Sequence, residues 1–103
     1  MIRSTDIKSR AAAETACLEQ GLDSDFIEDD PGKVYSRHAH HSVMIFSLNG
    51  SVELELNDSE PALVGEGDQV IIPAGMQHQA RVGEAGWSYV IGWSAEEAQK
   101  HAA

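Results

Sequence analysis

Three of the five histidines in this chain are spaced for joint work: His38 and His40, separated by Ala39, and His78, which closes the run Gly67-Asp68-Gln69-Val70-Ile71-Ile72-Pro73-Ala74-Gly75-Met76-Gln77. Residues two apart on a β-strand point to one face, so His38 and His40 on a strand present their imidazoles side by side. The longer run reads as a turn, a buried strand and a second turn, with His78 starting another strand. Three neutral imidazoles converging from two strands make a metal site with open positions. It suits one divalent ion, Zn, Ni, Fe or Cu, with water or substrate completing the shell. His41 alternates to the opposite face and joins the set only if the strand bulges there. A single strand histidine is more often a solvated or core residue, so it is the set of three that is specific.

The elements that must position these residues are short strands. From Leu22 onward the apolar period is two. Strands are expected at Phe26-Ile27, at 34–40, at 43–48 and at 51–56, where Val52, Leu54 and Leu56 point inward and Glu53 and Glu55 face water. Further strands are expected at 62–64, 69–72, 78–82 and 87–93, punctuated by Asp30-Pro31-Gly32, Asn49-Gly50, Pro73-Ala74-Gly75 and Gly83-Glu84-Ala85-Gly86. Asn49-Gly50 is the strongest hairpin signal among them. Many short strands separated by glycine-rich turns indicate an all-β closed or sandwiched barrel.

Ahead of the strands, residues 5–20 read as a helix. Ser4 or Thr5 caps it, Gly21 ends it, and Ile7, Ala11, Glu14 and Leu18 form a thin docking stripe. At the other end, Ser94-Ala95-Glu96-Glu97 has a capping-box pattern that starts a short helix. The expected division is a helical extension over 1–21 docking on a barrel over 22–93, then a short helix or tail over 94–103.

Composition narrows the partners. Acidic residues outnumber basic ones 17 to 7, a formal charge of -10, so phosphate backbones and anionic lipid are repelled. Neither nucleic acid nor membrane is an expected partner, and no stretch reaches the ~18 apolar residues of a membrane span. Cys17, the single cysteine, has no internal disulfide partner and reads as a small apolar helix residue in a reducing, cytoplasmic setting. Tyr35, Met44, Phe46, Gln77, Trp87 and Tyr89 are candidates to line a cavity at the barrel mouth. For the aromatics, core packing is the favoured reading. Arg81 faces outward by parity and reads as a surface cation. No serine-histidine-aspartate arrangement, phosphate loop or basic patch is present.

Gly32-x5-His38-x-His40 and Gly67-x5-Pro73-x-Gly75-x2-His78 resemble the two motifs of the cupin superfamily, in the manner of its small single-domain members. The likeness runs from about Leu18 to Gly92 and includes the phrases Glu19-Gln20-Gly21, Asp30-Pro31-Gly32-x2-Tyr35 and Ala80-Arg81-Val82-Gly83. It implies a jelly-roll barrel and a homodimer, the latter in keeping with exposed strand edges. The first motif departs from the family. Cupins commonly add a glutamate ligand soon after the second histidine, whereas this chain reads His41-Ser42-Val43-Met44-Ile45-Phe46, with Met44 nearest the missing carboxylate. The usual terminal asparagine of the second motif is Val82. A neutral three-histidine site resembles those of cupin thiol dioxygenases. Two functions follow as expectations: a metal-dependent dioxygenase or isomerase acting on a small molecule, or a non-catalytic module that binds a small ligand or senses a metal.

Overall fold

The computed structural model describes residues 1–97. Its strands are β1 (Ile2–Ser4), β2 (Asp23–Asp29), β3 (Val34–His38), β4 (Val43–Leu56), β5 (Ala62–Val64), β6 (Asp68–Ile72) and β7 (His78–Trp93), and the helix α1 (Arg10–Glu19) lies between β1 and β2 in the chain. All seven strands join one antiparallel sheet of order β1-β6-β4-β7-β2, with β3 on β7 and β5 on β4. The expected all-β class is observed.

The spine is the pair β4 and β7, and both bend where hairpin turns were expected. Asn49-Gly50 does not reverse the chain. The strand continues through it, still paired to β7, with Gly50 at φ +76°. Register runs Gly50↔Trp87 and then Val52↔Val82, so the segment Gly83 to Gly86 bulges at the corner instead of turning back. A Cβ on Gly50 would lie 1.9 Å from the Gly86 carbonyl oxygen, so the two glycines permit a backbone contact that no side chain allows. Long-range pairing overrode the local turn signal here.

The corner divides β4 and β7 into halves and folds the sheet into two layers. Residues 43–46 pair with β6 and with 90–92, while 52–56 pair with 78–82 and part of that half also pairs with β5. The bulge also exchanges the inward parity. Before it Val43 and Ile45 face the core, and after it Val52 and Leu54 do. These join Val64, Val70, Ile72, Val82, Trp87 and Tyr89 in one apolar cluster.

The other face of the first half is covered by α1. Ala13 and Cys17, both fully buried, pack with Phe46, Leu48 and Val90. The helix starts later than expected, at Arg10: the chain first runs as an edge strand, Ile2–Ser4, on β6 in register Ile2↔Val70, and the Thr5 N–H donates to the Gly67 carbonyl at 2.8 Å. Ser9, not Ser4 or Thr5, caps it, its Oγ accepting from the Ala12 N–H at 3.2 Å. The docking face is Ala13 and Cys17, not the stripe through Leu18, which is 75% exposed. Gly21 ends the helix at φ +71°, with the Leu22 N–H bonded to the Cys17 carbonyl and the Gly21 N–H to that of Leu18. Ser94 Oγ accepts from the Glu97 N–H as the capping pattern predicts, and the remainder of the expected C-terminal helix lies outside the described residues.

Candidate metal centre

His38 ends β3, opposite His78 at the start of β7. His40 lies two residues past the strand, and the Gly75 N–H donating to its carbonyl at 3.0 Å ties it to the Pro73-Ala74-Gly75 turn. The three rings stand with centroids 4.3 to 5.3 Å apart, and one donor nitrogen from each lies within 4.8 Å of the others. His78 is buried, His40 half-buried and His38 exposed, so the cluster is reached from one side.

Each imidazole is oriented by the backbone. Nδ1 of His38 faces the Ser36 carbonyl at 2.6 Å, that of His40 faces the His41 carbonyl at 2.6 Å, and that of His78 faces the Met76 carbonyl at 3.0 Å. A carbonyl only accepts, so in each ring Nδ1–H donates and Nε2 keeps its lone pair. That is the arrangement by which metal-binding histidines hold their tautomer. Burial, offset in part by the Met76 hydrogen bond and reinforced by His38 and His40, lowers the pKa of His78 and favours the neutral, ligating form. The donor set fits a divalent ion, and these three residues could hold one. His41 lies next to His40, with ring centroids 5.4 Å apart, but is not in the cluster.

Beside the histidines lies a cavity of about 90 Å³, walled by Val43, Ile45, Leu54, Ile72, Ala80, Trp87 and Ile91, with Tyr35 and Tyr89 supplying polar atoms. Trp87 stacks on Tyr89 at 3.8 Å, and its indole N–H donates to the buried Ser47 Oγ at 2.8 Å. A larger polar groove, lined by Ser36, Glu53, Glu55, Gln79 and Arg81, lies outside the donor set and brings no histidine with it.

Tyr35 lines the cavity beside the histidines. Met44 and Phe46 do not: both turn to the helix side, where Gln20 Nε2 approaches Met44 Sδ at 3.5 Å and Phe46 is buried with Cys17. Strand parity, counted from His40 to Met44, fails because residues 39–42 are not strand, so the alternation restarts at Val43. Gln77 is exposed and accepts from Arg37 Nε at 2.7 Å, outside the cavity. Sequence reasoning missed Val43 and Ile45 for the same reason. It also missed the partnership of Tyr35 with Asp29, whose carboxylate accepts the Tyr35 hydroxyl at 2.6 Å. A bulge between Tyr35 and His38 turns both side chains to the cavity although their numbers differ in parity.

The cupin domain family model matches residues 26–86. Among solved structures, KdgF from Halomonas sp. is 29% identical, with TM-score 0.60, over 69% of this chain and 64% of that one. The DMSP lyase DddQ from Ruegeria pomeroyi is 25% identical, with TM-score 0.66, over 73% of this chain and 39% of its own. Bacillus subtilis oxalate decarboxylase, a protein with Mn(II) centres, is 25% identical, with TM-score 0.62, over 69% of this chain. The chain spans about a fifth of the length of that decarboxylase, 20% by coverage. A search of curated protein sequences finds no match.

Proposed function

The chain belongs to the cupin domain family, and from that premise we propose that His38, His40 and His78 hold one divalent metal ion and that the adjoining cavity takes a small organic molecule. The observation that carries this reading is the shared orientation of the three rings, each with Nδ1 held by a backbone carbonyl and Nε2 left for a ligand bond. Bound there, the ion supplies a Lewis acid with open coordination positions. The chain's own residues do the rest. Ile45, Leu54, Ile72 and Trp87 exclude water from one side of the ligand, and Tyr35 and Tyr89 offer it polar atoms.

The reading extends to dioxygenase or isomerase chemistry on that molecule. The named activities of the decarboxylase and the lyase support it, in that the same fold serves metal and small-molecule chemistry elsewhere. A non-catalytic ligand-binding or metal-sensing module is the second reading. It is favoured by a ligand set with no carboxylate among the described residues, Met44 being turned to the helix. A homodimer in a reducing cytoplasm completes the proposal, supported by the exposed edge strand β1 and the buried single cysteine.

The test is elemental analysis of untagged protein purified without chelator, followed by oxygen uptake and turnover assays on thiols, diketones and sugars. Near-stoichiometric iron with substrate-dependent oxygen uptake supports the dioxygenase. Bound zinc or nickel with turnover but no oxygen uptake supports the isomerase, and bound metal without turnover supports the sensing module. No metal after reconstitution with iron, zinc, nickel and copper overturns the metal centre.

A further inference from the structure

Besides the histidines, the cavity has a second set of polar side chains in its lining. The hydroxyls of Tyr35 and Tyr89 are 3.2 Å apart, and both residues line it. Tyr35 donates to Asp29 Oδ2 at 2.6 Å, while Lys33 Nζ lies 3.3 Å from Asp29 Oδ1. The Asp29 side chain, at the end of β2, is only 2% exposed.

A tyrosine hydroxyl has one proton to donate. That of Tyr35 is committed to Asp29, so within the pair it is Tyr89 that donates to Tyr35. The chain therefore runs one way, with Lys33 and Tyr35 donating to Asp29 and Tyr89 donating to Tyr35. What the two phenols leave for a ligand is lone pairs alone. Burial first, and hydrogen bonding with Tyr35 second, raises the pKa of the Tyr89 phenol far above its usual value, so the hydroxyl stays neutral.

We infer that the Tyr35–Tyr89 pair is an acceptor subsite that selects a small ligand carrying a hydroxyl hydrogen at one end and an oxygen donor for the histidine centre at the other. The second contact rests on the metal-centre reading above; the first does not. The rest of the lining, Ile45, Leu54, Ile72 and Trp87 among it, is apolar and offers an extended polar ligand little. Short hydroxylated carboxylates or carbonyl compounds match this pattern. Asp29 is the positioning residue, since its carboxylate fixes the direction of the whole chain without being the group the ligand meets.

The test is calorimetric titration of zinc-loaded protein with glycolate, 3-hydroxypropanoate and 4-hydroxybutanoate, each against its parent acid and its O-methyl ether. At one chain length the hydroxy acid is expected to bind roughly tenfold tighter than both controls, the usual worth of one buried hydrogen bond. Tyr35→Phe and Tyr89→Phe are expected to erase that margin. Asp29→Asn is the discriminating variant. Lys33 takes the amide oxygen, the amide NH2 donates to the Tyr35 oxygen, the Tyr35 hydroxyl rotates to donate to the Tyr89 oxygen, and the Tyr89 hydrogen faces the cavity. The ether then binds at least as well as the alcohol, a reversal that a merely structural role would not produce.

No hydroxyl preference at any length in the native protein, or the native preference persisting in a folded Asp29→Asn, overturns the subsite. If the first occurs with stoichiometric zinc, the metal centre still stands. If zinc does not bind, reconstitution with iron, nickel and copper decides the metal centre, and the same pairs titrated into the metal-free protein decide the subsite alone.

Discussion

Before the Gly50 corner, alternate residues of β4 serve two different regions. Val43 and Ile45 face the cavity beside the histidines, and Met44, Phe46 and Leu48 face α1. β7 repeats the division with Tyr89 and Ile91 inward and Val90 outward. The helix side is closed by the fully buried Ala13 and Cys17 against Phe46, Leu48 and Val90, while the cavity side is open at His38 and holds its polar groups through backbone carbonyls and Asp29. One layer of strands thus separates a region built for burial from the region that holds the cavity and the three histidines. Substitutions one residue apart should report on different properties.

The largest effect expected on the helix side is that of Phe46→Ala. Phe46 is 1% exposed, and emptying its place should cost about 3–5 kcal/mol of unfolding free energy in denaturant titrations. Metal content per folded chain should be unchanged. If the folded fraction loses metal, the two regions are not separable and the comparison fails.

His78→Ala is the converse. Metal affinity should fall at least about 100-fold, or about 2.8 kcal/mol, in competition with a chromophoric chelator, because one of three donors is gone. His41→Ala should leave affinity unchanged, since the bond that orients His40 runs to the His41 backbone carbonyl, which the substitution keeps. Equal retention in both variants would remove His78 from the ligand set.

Tyr89 sharpens the comparison through pH. Its phenol is raised by burial above the ordinary value of 10.0, so in alkali the unfolded chain releases this proton and the folded one does not. Stability from this group is complete below the unfolded pKa and is lost above it, with a slope of about 1.4 kcal/mol per pH unit beyond pH 10. Denaturant titrations from pH 9 to 11 should show this slope in the native protein and lack it in Tyr89→Phe. Parallel curves would place the Tyr89 hydroxyl in contact with water.

How far the sequence discloses this arrangement depends on the range of the interaction concerned. The histidine spacing, the alternation of Val52, Leu54 and Leu56, and the terminator Gly21 are local patterns, and the structure follows them. Asn49-Gly50 is equally local and misleads, because pairing between β4 and β7 on both sides of it holds the strand continuous. The helix start shifts to Ser9 for the same kind of reason: Ile2–Ser4 gains hydrogen bonds along β6 that no local signal announces. The Asp29–Tyr35–Tyr89 chain joins three strands, and nothing in its spacing marks it.

Met44 is where the smallest effect is the most telling. Its number places it level with His38 and His40, and its position in the motif is that of a missing ligand. The link through residues 39–42 resets the alternation, however, and its sulfur lies by Gln20 among helix-side residues. A thioether in that setting is packing, so Met44→Leu, which nearly conserves volume, should change stability by less than about 1.5 kcal/mol. Metal affinity should not change at all. A thioether ligand, by contrast, would show itself with copper: Cu(I) affinity would drop in Met44→Leu while zinc affinity held. Such a drop would mean that β4 can turn its two faces over, and that the division between burial and binding is a property of one state of the chain. Unchanged affinity for both ions would mean that the family's carboxylate position has passed to the hydrophobic core, leaving the metal to three histidines and whatever the cavity admits.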